Sequence, residues 1–149
     1  MFLYNILQAA DIKIEETCID NIFSVIKKQV SLNQSGTLNI VFVSNEEITE
    51  LNTKYRDKKS ATDVLSFHYY DDFSSLSSEE VAWEIILCHD KIEPDAQENH
   101  VSVQQQVYML IIHSTLHILG YDHQDDDDYK TMHTLEKSIY REVFGKDFN

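Results

Sequence analysis

The stretch VYMLIIHSTLHILGYDH, residues 107–123, organises the reading of the whole chain. From about residue 96 to 119 the pattern is helical, polar at first and heavily apolar from Val107, and Gly120 stops it. Two histidines are set into that apolar helix four residues apart. On a helix, His113 and His117 lie one above the other on one face, with Cβ atoms roughly 5–6 Å apart. Both imidazoles can then reach one ion at about 2.0–2.1 Å.

His123 could not join them if the helix simply continued, because six residues on from His117 it would have climbed about 9 Å and turned to another face. Gly120 supplies the way round. A glycine takes the left-handed conformation that ends a helix, and the chain can fold back across the helix end. A tight return through Tyr121 and Asp122 brings His123 to the same ion. Three histidine ligands leave a fourth position for water or substrate, the arrangement of a catalytic zinc rather than a structural one. Three imidazoles also suit nickel or copper. Asp122 reads either as an acceptor that fixes a ligand tautomer or as a plain turn residue. His133 reads as a surface residue, and His68, His89 and His100 have no ligand-like spacing.

Outward from this helix, residues 2–7 read as a short strand. Ile19, Ile22, Phe23, Ile26 and Val30 recur at helical spacing, so a helix runs to about residue 30. Gly36 punctuates, and residues 38–43 are a β-branched and aromatic run, hence a strand. Ser44 with Glu47 forms a capping-box pattern for a second helix, whose apolar face is Ile48, Leu51 and Tyr55. Residues 64–67 and 85–88 read as strands, and 71–80 as an exposed loop. After Gly120 a last helix carries Tyr129, Met132, Leu135, Ile139 and Val143 on one face and ends at Gly145. The acids Asp125–Asp128 suit the positive end of that helix. These elements predict a single α+β domain over residues 1–149, with one mixed sheet of about four strands packed with about four to five helices.

The 149 residues carry 26 acids against 12 bases, a net charge of −14. A field of that sign repels nucleic acid over most of the surface, so any phosphate backbone must be met locally. Lys54, Arg56, Lys58 and Lys59 place four of the twelve cations within six residues, and Arg56 is one of two arginines. Cys18 and Cys88 form no short-spaced motif and read as reduced, buried thiols of a cytoplasmic protein. The N-terminus lacks the basic start and small-residue site of a signal peptide, and no apolar run is long enough for a membrane span.

The spacing HxxxHxxGxxH also matches the ligand frame of the metzincin peptidases. Those enzymes need a glutamate after the first histidine as general base, and here that position is Ser114. A hydroxyl cannot take up a proton at neutral pH as a carboxylate can, so a peptidase is disfavoured.

HSTLHILGYDH, taken with LNTKYRDKKSATDVLSF at residues 51–67, resembles the YbeY endoribonuclease family of bacterial ribosomal-RNA maturation factors. That family's motifs have the forms HGxLHLxGYDH and LNxxYRxxxxxTDVLSF, and both blocks occur here in order. The resemblance implies zinc-dependent cleavage of single-stranded RNA in small-subunit ribosomal-RNA maturation and ribosome quality control, with one Zn²⁺ per chain. It assigns His113, His117 and His123 to the metal, and Arg56 to the active-site cleft. Thr62 and Asp63 fall on the family's Thr-Asp pair. It implies RNA and the ribosome as partners, with no DNA and no membrane, and a monomer is the default expectation. This chain departs from the pattern at Ser114, where the family has glycine, at Trp83-Glu84-Ile85, where Gly-Asp-Ile is usual, and at His68, where proline is common. The rival readings are a metallohydrolase on a non-RNA substrate, such as a peptide, and a non-catalytic ribosome-associated metalloprotein.

Overall fold

Two strands are apolar on both faces, and they lie side by side in the middle of the sheet. The computed structural model describes residues 3–7, 12–30, 36–68, 81–121 and 125–148. Within them β1 (Leu3–Leu7), β2 (Thr37–Val43), β3 (Val64–His68) and β4 (Val81–Cys88) form one sheet in the order β1-β2-β4-β3. β1 and β4 both run parallel to β2, whereas β3 pairs antiparallel with β4, so the sheet is mixed as expected. A register shift at Thr37/Leu38 bends the start of β2.

The period of two along a strand divides the core. Leu38, Ile40 and Phe42 of β2 face the same large cluster as Trp83, Ile85 and Leu87 of β4. Val43, Ile86 and Cys88 face the other way, into a smaller cluster with Leu65 and Ile48. Trp83 is fully buried, so the chain's departure from Gly-Asp-Ile is a change of core packing at this position.

Five helices cover the sheet: α1 (Glu16–Gln29), α2 (Asn45–Arg56), α3 (His89–Glu98), α4 (Val103–Ile118) and α5 (Asp126–Phe144). α1 buries Ile19, Ile22, Phe23 and Ile26, the stripe its spacing predicts, each side chain contributing roughly 1.5–3 kcal/mol of burial. α2 starts with the full capping box: Ser44 Oγ accepts from the Glu47 N–H, and Glu47 reaches back to the Ser44 N–H. Asp125 caps α5 by accepting from the Asp128 N–H at 2.8 Å, so that acidic run is a helix start.

Several expectations need correction. The helical pattern from residue 96 to 119 is two helices. His100 takes a left-handed φ of 58°, and Ser102 opens α4 with its own capping box to Gln105. β4 begins at Val81, four residues before the expected start. Tyr55 and Tyr129, assigned to apolar faces, are 57% and 55% exposed. Cys88 is buried, which pushes its thiol pKa up, but Cys18 is only half-buried, and both are free. The expected loop at 71–80 lies outside the described residues. Among those described, no helix is long and apolar enough to cross a membrane.

Candidate metal centre

α4 is buried along most of its surface, with Leu110, Ile111, Ile112, Ser114, Thr115 and Leu116 all inside. His113 and His117 occupy the one strip near its C-terminal end that is only half-buried. Their rings meet edge to face, 4.6 Å between centroids and 85° between planes. The i, i+4 spacing therefore produces the paired imidazoles read from the sequence.

A carboxylate from α5 completes the arrangement. Glu136 Oε1 lies 2.5 Å from His113 Nδ1. An ionised carboxylate can only accept, so in this bond His113 Nδ1 is the donor. Glu136 is nearly buried, at 13% side-chain exposure, and its second oxygen lies 3.8 Å from His133 Nδ1. His133 in turn stacks on Tyr129 at 5.5 Å and 17°. These residues, with Met132, line a cavity of about 240 Å³ beside His113. Two adjacent imidazoles, one of them held at Nδ1 by a carboxylate, are a donor set that fits a divalent metal.

The end of α4 is closed by its own backbone bonds. The Tyr121 N–H donates to the Leu116 carbonyl and the Gly120 N–H to the His117 carbonyl, with Gly120 at φ 101°. This pair of bonds satisfies the last carbonyls and ends the helix. His123 and Asp122 lie outside the described residues. Among those described, no three His, Cys, Asp or Glu side chains are grouped to hold an ion.

Ser114 is fully buried, on the inward side of the helix. The serine is thus accommodated where the resembling family has glycine, and it stands away from the strip that carries the imidazoles.

Arg56 is the last residue of α2 and is exposed. Its helix meets β3 through Tyr55 and Phe67, and β3 packs against α4. The loop that follows is tied down by three bonds: Lys58 N–H to the Asn52 carbonyl, Asn52 Nδ2 to the Ser60 carbonyl, and Thr53 Oγ1 to the Lys58 carbonyl. Thr62 Oγ1 lies 3.3 Å from Asp63 Oδ1, and the Asp63 carbonyl accepts from the Cys88 N–H at 2.9 Å. The Thr-Asp pair is thereby anchored to the end of β4.

Glu136 escaped the sequence reading. It stands 23 residues from His113, one turn after the surface-assigned His133, and nothing in local spacing links the two. The available signal was a lone acid amid the apolar positions of α5, between Leu135 and Ile139.

Fold and site together define a class: an α+β protein whose buried helix presents an HxxxH pair, held from the next helix by a carboxylate. The family model described as endoribonuclease YbeY matches residues 5–143. An endoribonuclease YbeY of Finegoldia magna is 41% identical over 106 residues, 71% of this chain and 68% of that protein. One from Staphylococcus carnosus is 36% identical over 124 residues, 81% of each. The solution structure of TM1509 from Thermotoga maritima superposes with a TM-score of 0.61 at 28% identity, covering 96% of this chain and 90% of that one. The chain belongs to the endoribonuclease YbeY family.

Proposed function

We propose that this protein is a zinc-dependent endoribonuclease that cuts single-stranded RNA in the cytoplasm, in maturation of small-subunit ribosomal RNA and in ribosome quality control. Residues 1–149 act as one domain, and His113, His117 and His123 hold one zinc ion. The observation that carries the reading is the edge-to-face imidazole pair with Glu136 on His113 Nδ1, in a chain whose relatives are named endoribonucleases. A zinc ion, when bound, supplies a Lewis acid for a phosphoryl oxygen and acidifies water to a pKa of about 7.

The chain's own residues do the remaining work. Glu136 holds the His113 ring by Nδ1, which orients Nε2 for ligation. Arg56 offers a planar fork to a phosphate, the geometry a lysine cannot supply. Lys54, Lys58 and Lys59 add a local positive rim, which a chain of charge −14 needs before it can approach RNA.

Burial of Ser114 further disfavours a peptidase, since no general base stands at that position. A non-catalytic ribosome-associated metalloprotein is separated by activity. Protein purified without a histidine tag, stripped of metal and then restored with zinc, is expected to lose and regain cleavage of unstructured RNA. His117→Ala should lose both metal and cleavage, whereas Arg56→Ala should keep the metal and lose cleavage. Casein degradation without RNA cleavage would overturn the assignment, and so would RNA cleavage indifferent to metal.

A further inference from the structure

Tyr55 ends the apolar stripe of α2, yet the stripe leaves the core before reaching it. Ile48 is fully buried and Leu51 half-buried, whereas Tyr55 is 57% exposed. Its ring rests on Phe67 of β3 at 5.4 Å between centroids and 67° between planes. Lys54 Nζ stands 5.2 Å from the ring centroid. Lys54, Arg56, Lys58 and Lys59 are all exposed, and among the described residues none of them is in an ion pair. The bonds from Asn52 and Thr53 to Lys58 and Ser60 hold the cation-bearing loop against the helix end. Ring and cations are therefore presented together on a braced surface.

We propose that Tyr55 is a stacking platform for one unpaired base of single-stranded RNA, with the flanking phosphates met by the neighbouring cations. The inference rests on the endoribonuclease reading and names a binding subsite for it. Charge selects the occupant, because four cations against the single acid Asp57 between residues 54 and 59, in a chain of net charge −14, favour a polyanion there. The ring selects among polyanions. A ring on a residue 57% exposed is open to the π-face of an unstacked base, which a duplex keeps covered. Phe67 packs against the tyrosine ring from β3.

The test is equilibrium binding of a 2′-O-methyl RNA of about 12 unpaired nucleotides to the full-length chain. Oligonucleotide integrity is checked by gel after each titration. Tyr55→Ala is expected to weaken binding by roughly 5- to 100-fold, the range for loss of one base–aromatic stack, and Tyr55→Phe to stay within about twofold of the parent chain. Affinity for a fully paired duplex of the same sequence should not change. Tyr55→Trp supplies a direct reporter, since Trp83 is the only other tryptophan and is fully buried. Its emission should be quenched by the single strand and not by the duplex. Circular dichroism melting confirms that each variant folds. Unchanged single-strand affinity in Tyr55→Ala, or an equal loss for duplex and single strand, overturns the stacking role and leaves the nuclease reading standing. A parent chain that binds no RNA overturns both.

Discussion

The bond between Glu136 and His113 is where a single side chain on α5 acts on a ring of α4. If Glu136 presents His113 Nε2 to the metal, Glu136→Ala should weaken zinc affinity by about 10- to 100-fold with the fold retained. Competition against a chromophoric chelator reads this without any activity assay, and an unchanged affinity would remove Glu136 from the centre. A second residue reports on the Thr-Asp motif. Burial, and then the nearby charge of Asp63, hold the Asp95 carboxyl above the usual carboxylate range, with Lys91 opposing. The folded chain thus binds that proton more tightly than the unfolded chain. Its contribution to stability is fully present below the unfolded pKa of about 3.9 and is lost as pH rises through the raised folded value. Asp95→Asn mimics the protonated form, so it should melt higher than the parent at pH 7. That advantage should vanish as pH falls toward about 4. A constant difference across this range would mean that Asp95 acts through something other than its charge.

At the scale of an element, the end of α4 couples stability to the candidate centre. Gly120 holds φ 101° while its N–H and that of Tyr121 close the last carbonyls. A Cβ added there would meet no atom within 4 Å, so the cost of Gly120→Ala is conformational and not steric. It should be roughly 1–2 kcal/mol, read as a shift in the urea midpoint. If His123 is a zinc ligand as proposed, zinc affinity should fall with it. A variant that loses stability but binds zinc as before would separate the helix end from the metal site.

For the molecule as a whole, the cluster of Lys54, Arg56, Lys58 and Lys59 on an acidic chain should set the salt dependence of the proposed RNA binding. Four cations can neutralise at most about four phosphates, so log affinity against log salt should have a slope no steeper than about −3 for a single strand. A much steeper slope would demand a broader basic surface than Lys54, Arg56, Lys58 and Lys59 provide. The route from that cluster to the imidazoles runs through β3, which touches α2 through Phe67 and packs against α4.

What local periodicity encodes was readable from the chain alone. The His113–His117 pairing follows from 3.6 residues per turn, the start of α2 from the reciprocal chemistry of Ser44 and Glu47, and the stop of α4 from the one residue type suited to φ 101°. The division of α3 from α4 was missed because the helical pattern continues across it, although Ser102 and Gln105 spell a second capping box. Tyr55 and Tyr129 were misplaced for a different reason. Spacing says which side of a helix a residue occupies, but where that side runs past the edge of the core depends on what packs beside it. Only tertiary structure brings Glu136 to His113 across 23 residues, since the approach of two helices is set by the burial of Met132, Ile139 and their partners and not by any local preference.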